Sequence, residues 1–195
     1  MNDYRINGKG VGHDPLSFAR TESYVEFFNR IGNSSKNIHI INNFISEEDA
    51  QSLIKLSDII APQDSPGQWS EMIFAGPEVS SILDKYKEKV VALINQRFVA
   101  NSKFCGGSYL VKWGSGKSMD LHVDDLGSGE NHLSAVLYLN DDYAGGSIIF
   151  PTHNLYIKPK RFELIIFPGN LNYAHEVTEV ISGTRFTVPF WTQIV

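Results

Sequence analysis

His122 and Asp124 stand two residues apart in Leu121-His122-Val123-Asp124-Asp125. On a β-strand alternate side chains share a face, so this spacing turns an imidazole and a carboxylate the same way. A second histidine follows in Asn172-Tyr173-Ala174-His175-Glu176-Val177, and the basic Arg185 lies ten residues beyond it. Two neutral imidazoles and one carboxylate on one face of a divalent iron ion leave three coordination positions open, an arrangement suited to reaction. The pattern predicts a metal centre at His122, Asp124 and His175. An H-x-D pair alone is common by chance, so the prediction leans on what surrounds it.

Positioning these side chains falls to the chain after Ala100. Strand-like segments run over 108–113, 120–123, 133–139, 147–150, 162–167 and 185–192. Gly114-Ser115-Gly116, Gly127-Ser128-Gly129, Gly145-Gly146 and Pro168-Gly169 punctuate them. Short strands at this spacing predict a barrel or a double-sheet jelly roll. Before them, Ile38-His39-Ile40-Ile41 reads as a strand in which His39 is structural. Ser46 opens a helix with Asp49 as its capping-box partner and Ala50, Leu53, Ile54 and Ser57 on one face. The strongest helix covers 78–98. Its stripe of Val79, Ile82, Leu83, Tyr86, Val90, Leu93 and Ile94 faces away from Lys85, Lys87, Glu88 and Lys89. Helices first and strands after give an α+β fold, the helices supporting one face of the sheet. Residues 1–35 read as an N-terminal extension in which Tyr24, Val25, Phe27, Phe28 and Ile31 look buried. Residues 36–195 read as a single domain.

Composition removes several function classes. The net charge of −5 leaves no basic footprint for a nucleic-acid backbone. No apolar run reaches membrane-spanning length and the first residues lack a signal pattern, so no membrane association is expected. Cys105 is the only cysteine, which excludes an internal disulfide and fits a reducing, cytoplasmic location. Gly116-Lys117-Ser118 ends like a phosphate-binding loop, but Val111 stands where that loop needs glycine, and Asp120-Leu121-His122-Val123 follows instead of a helix. It reads as a turn. His13-Asp14 reads as surface loop, since adjacent strand residues face opposite ways. His132 and His153 read as surface or substrate-side residues, and Asp125 as pointing away from the metal.

The order of parts carries more than any one of them. His122 and Asp124 are followed by Tyr138-Leu139-Asn140, Gly145-Gly146-Ser147-Ile148-Ile149-Phe150, Ile165-Ile166-Phe167-Pro168, His175-Glu176-Val177, Gly183-Thr184-Arg185 and Trp191. Over about 108–192 this succession resembles the Fe(II)- and 2-oxoglutarate-dependent dioxygenases of the prolyl 4-hydroxylase-like group. The resemblance implies a double-stranded β-helix (jelly-roll, cupin-like) core with N-terminal supporting helices, its catalytic part at about 105–195. It implies Fe(II) held by His122, Asp124 and His175. Arg185 would pair with the distal carboxylate of 2-oxoglutarate, with Tyr138 and Thr187 adding hydrogen bonds. A planar guanidinium suits such a carboxylate.

The resemblance further implies that dioxygen is consumed and 2-oxoglutarate leaves as succinate and CO2 while a substrate C–H bond is hydroxylated, with ascorbate as an accessory reductant. Because Asp124 is present, hydroxylation is expected rather than halogenation. The implied substrate is a prolyl residue in a peptide or protein. A free amino acid or other small molecule is the alternative within the enzyme class, and a non-catalytic cupin-like metal- or ligand-binding domain the alternative outside it. The loop Pro62 to Gly76 with Trp69, together with Tyr109, Trp113 and Trp191, is the candidate substrate groove or lid. Two departures from the family pattern stand out. Trp113 takes a position usually held by tyrosine, and Glu130-Asn131-His132 replaces basic residues that some members carry.

Overall fold

The computed structural model describes residues 22–62, 72–125 and 132–195. The chain begins with helix α1 (Glu22–Ile31), strand β1 (His39–Ile41), helix α2 (Glu47–Leu56), strand β2 (Met72–Phe74) and the long helix α3 (Pro77–Phe98). Strands follow: β3 (Ser102–Cys105), β4 (Leu110–Trp113), β5 (Met119–His122), β6 (Leu133–Tyr138), β7 (Ala144–Gly145) and β8 (Ile148–Phe150). The last are β9 (Leu155–Ile157), β10 (Leu164–Pro168), β11 (His175–Val177), β12 (Val180–Ser182) and the ten-residue β13 (Arg185–Ile194). Among the described residues no helix is long and apolar enough to cross a membrane.

Two antiparallel sheets pack face to face. The larger runs β1-β10-β6-β13-β4-β2, with β3 pairing the far end of β13, and the smaller runs β5-β11-β8-β9. Side chains from both sheets meet between them, Tyr138, Ile165 and Phe167 from the larger against Ile148, Phe150 and Ile157 from the smaller. This is the double-stranded β-helix expected from the sequence. Strand alternation then sorts β13 into two faces. Phe186, Val188 and Phe190 enter the core under the helices, while Arg185, Thr187, Pro189 and Trp191 line the interior between the sheets. Pro189 sits beyond the β4 register, which ends at Thr187, and before the β3 register, which begins at Trp191. A residue lacking an N–H is tolerated at such a break in pairing.

The helices cover the outer face of the larger sheet. Val79, Leu83, Tyr86, Val90, Ile94 and Phe98 of α3 are buried at helical spacing, each fully buried aliphatic contributing about 1.5–3 kcal/mol. Ser46 caps α2 by accepting from the Asp49 N–H at 3.2 Å. The reciprocal half of the capping box is replaced: the Ser46 N–H donates to the Tyr86 hydroxyl at 3.3 Å. The Asp49 carboxylate instead accepts from Ser46 and Tyr86 and pairs with Lys85 at 2.7 Å. Aspartate is one carbon shorter than the glutamate this motif favours. α1 lies on the same core through Phe27, and Arg30 donates to the Phe98 carbonyl at 3.0 Å. Phe28 and Ile31 are half-buried.

Several expectations are refined. Segment 114–117 is a turn, with the Lys117 N–H donating to the Gly114 carbonyl. His39 lies on the edge strand β1 with its ring edge-on to Phe98. His132 is not a surface residue: it is 4% exposed, and its Nδ1 accepts from the Ile194 N–H at 2.9 Å. His153 is half-buried and stacks on Tyr173. His13-Asp14 falls outside the described residues.

Candidate active site

β5 and β11 are antiparallel neighbours, and their register sets His122 directly opposite His175. The two rings lie 4.2 Å apart. Asp124 follows β5 by two residues, its Oδ1 3.8 Å from His122 Nε2. One ligand atom from each of the three residues lies within 4.8 Å of the others. The segment after β5 is pinned by the Asp125 N–H, which donates to the Gly169 carbonyl at 2.9 Å. Asp125 itself is buried and falls outside the three-residue cluster.

Each histidine is oriented by a backbone carbonyl two residues earlier in the chain. His122 Nδ1 lies 2.8 Å from the Asp120 carbonyl, and His175 Nδ1 lies 3.1 Å from the Tyr173 carbonyl. A carbonyl can only accept, so in each neutral ring Nδ1 carries the proton and Nε2 keeps its lone pair for a metal. Burial pushes His175 down to about 4, with the His122 ring adding to the effect and Asp124 and the Tyr173 carbonyl opposing it. It is therefore neutral near pH 7, the form that ligates metal.

Deeper between the sheets, Arg185 is 2% exposed. Its guanidinium sits 4.6 Å from the centre of the Trp113 ring and 5.1 Å from that of Tyr138. Among the described residues no carboxylate pairs with it. Nε and Nη1 have no hydrogen-bond partner, and neither do the buried hydroxyls of Tyr138 and Tyr143. Burial raises the Tyr138 phenol, and it pushes Tyr143 up to about 12, the nearby Arg185 charge opposing both shifts. Thr187, on the same strand face, accepts from the Trp113 indole N–H at 3.0 Å. Burying an unbalanced charge costs several kcal/mol. An acceptor-only anion that satisfies these donors supplies the missing balance.

The backbone makes room for this cluster. At Gly146, φ is +62° and an added Cβ would lie 3.0 Å from both Arg185 Cδ and the Tyr143 ring. Gly145 has φ +73° and packs against the Glu179 carbonyl with no space for a side chain. Lys158 caps the outside, donating to the carbonyls of Tyr143 and Gly145 and lying 3.8 Å over the Tyr143 ring.

His122, Asp124, Tyr138, His175, Arg185, Thr187, Trp113 and Trp191 all line one pocket between the sheets. Tyr109 stands at its rim, its ring 5.9 Å from that of Trp191. Burial pushes Tyr109 up to about 12, with the Asp124 charge adding to the rise. Trp69 lies outside the described residues. Tyr143 is the residue that sequence reasoning passed over, although an aromatic two residues before a Gly-Gly pair was a usable signal. The donor set fits Fe(II) at one end of the pocket and a carboxylate at the other, as a 2-oxo dicarboxylic acid spanning them would require.

Residues 108–193 match the family model of the 2OG-Fe(II) oxygenase superfamily. A PKHD-type hydroxylase of Prochlorococcus marinus is 31% identical over 113 residues, covering 55% of this chain and 50% of that protein. The chain thus spans about half the length of the curated relatives it matches. A prolyl-4-hydroxylase structure from Pseudomonas putida superposes with a TM-score of 0.67 at 18% identity, covering 88% of this chain and 97% of that one. A prolyl hydroxylase from Trichoplax adhaerens, solved with a hypoxia inducible factor peptide fragment, superposes with a TM-score of 0.64 at 17% identity, covering 93% and 94%.

Proposed function

We infer that this chain, which matches the 2OG-Fe(II) oxygenase superfamily model over residues 108–193, is an oxygenase of the prolyl 4-hydroxylase-like kind and hydroxylates a C–H bond of a prolyl residue in a peptide or protein. The observation that carries the reading is that the His122, Asp124 and His175 cluster and a buried arginine with two unpartnered nitrogens line one pocket.

In this reading His122 Nε2, Asp124 and His175 Nε2 hold Fe(II). When bound, the metal and 2-oxoglutarate together supply the oxidation, one oxygen atom of O2 going to the substrate carbon and the other to succinate as CO2 leaves. Arg185, Tyr138 and Thr187 hold the far carboxylate and so fix the keto-acid end toward the metal. Val111, Val136 and Ile148 wall the pocket and keep water from it. Trp191 and Tyr109 receive the substrate at the rim, with ring faces suited to a pyrrolidine ring. The peptide class is supported by relatives and neighbours whose names are those of prolyl hydroxylases. We also take residues 36–195 as one oxygenase domain with 1–35 as its extension. That Cys105 is the one cysteine of the sequence supports a cytoplasmic location.

The test is an anaerobic titration of Fe(II) and 2-oxoglutarate, followed by the weak visible charge-transfer band of the loaded site and then, in air with ascorbate, by succinate release. A band and slow succinate formation in the wild type, both lost in Asp124→Ala, are expected. No band at saturation moves the chain to a non-catalytic binding domain. A band with no stimulation by proline-containing peptides moves the substrate to a small molecule.

A further inference from the structure

We propose that Trp113 is a positioning residue that sets both Arg185 and Thr187 to receive the far carboxylate of the co-substrate. The proposal rests on the reading above, that this pocket takes 2-oxoglutarate, and deepens it.

A tyrosine at position 113 would bring a hydroxyl of its own. Trp113 brings an indole, whose N–H can only donate. That N–H is spent inside the protein, on Thr187 Oγ1 at 3.0 Å, in a buried contact. A hydroxyl has one hydrogen to give and two lone pairs to receive with. By taking up a lone pair, Trp113 makes Thr187 an acceptor on the protein side and leaves its single hydrogen for the pocket that Thr187 lines. Among the described residues, the Trp113 N–H is the hydrogen-bond partner of the Thr187 hydroxyl. The missing hydroxyl of residue 113 is thus delivered second-hand, by Thr187.

The same indole does a second task with its face. Arg185 lies opposite Trp113 in the β4–β13 register. Its guanidinium carbon lies over the Trp113 ring at 4.6 Å and over the Tyr138 ring at 5.1 Å from their centres. Contact with the two rings restrains the guanidinium, and its Nε and Nη1 are the atoms without partners. Arg185 and Thr187 are two residues apart on β13 and share its inner face. The indole face orients one and the indole edge polarises the other, so a planar carboxylate meets two prepared donors.

The test is calorimetric binding of 2-oxoglutarate to protein loaded with Mn(II), which does not turn over, in a double-mutant cycle. Trp113→Phe keeps a ring face over Arg185 and loses the N–H; Thr187→Val loses the hydroxyl. Each is expected to weaken binding about fivefold to tenfold, the worth of one buried hydrogen bond. The double variant should bind no more weakly than Thr187→Val, because the N–H acts only through the hydroxyl. Equal losses from Trp113→Phe in both backgrounds, or no loss in either, overturn the proposal. Should Trp113→Phe fail to fold, Thr187→Val and Thr187→Ser decide it: valine must weaken binding and serine must not. Arg185→Met is the control for the underlying reading. If it binds 2-oxoglutarate as the wild type does, the pocket assignment fails; if it loses binding while the cycle is additive, only the role of Trp113 fails.

Discussion

The two ends of the pocket are built on opposite plans. At the metal end each histidine is oriented by a carbonyl two residues earlier in its own chain, Asp120 for His122 and Tyr173 for His175. Its spare nitrogens are satisfied before any metal arrives, and the group is part-exposed. At the far end Arg185, Tyr138 and Tyr143 come from β13, β6 and the turn before β7, lie almost wholly buried, and keep donors without acceptors. One end is finished by local backbone geometry. The other is finished only by a ligand. The stability of the metal end should therefore respond to protons, and that of the far end to anions.

The largest effect expected from this contrast is a pH dependence of the metal-free protein. His175 is held at about 4 in the fold against 6.5 as a free side chain, so the unfolded chain takes up its proton first. Its contribution is complete above about pH 6.5 and is lost progressively as pH falls toward about 4, by about 3 kcal/mol in all. Urea midpoints across that range should show the decline, and His175→Gln should flatten it. An unchanged slope in that variant would place the sensitivity elsewhere. Next in size is Arg185→Met. Removing the charge should weaken 2-oxoglutarate binding about a hundredfold and abolish the rise in melting temperature that the ligand gives the wild type. The ligand-free variant should be no less stable than its parent, because an unbalanced buried charge has gone. A large drop in its melting temperature would mean that the guanidinium already serves the fold. Smallest is Tyr138→Phe, which removes one neutral donor and should cost about tenfold in 2-oxoglutarate affinity, read by the same titration, with His175-dependent pH behaviour untouched.

The same contrast explains what the chain disclosed in its sequence. His122 and Asp124 announce themselves because alternation on one strand is a local rule, and β6, β13 and α3 because they are long enough for a period to repeat. β2, β7, β9, β11 and β12 are two or three residues long and carry no period at all; pairing with neighbours far along the chain makes them strands. His132 reads as exposed from its polar surroundings in the sequence, yet Gly169 and Ile194 enclose it, one donating its N–H to the His132 carbonyl and the other to its Nδ1. The partnership of Trp113 with Thr187 spans β4 and β13 and has no local signature. Tyr143 was hidden for a similar reason: its closeness to Arg185 depends on the missing side chain of Gly146.

β13 carries Arg185 and Thr187 near one end of the pocket and Trp191 near the other, all on one face. Six residues of strand make that distance about 20 Å. The strand is in effect a ruler graduated in steps of two. Losing or gaining one residue between Thr187 and Trp191 would not shorten or lengthen the interval slightly; it would turn one of its ends to the helix side. The spacing between the anion seat and the outer rim is therefore quantised, and change at this rim is confined to swapping side chains or to moving the loops that approach it.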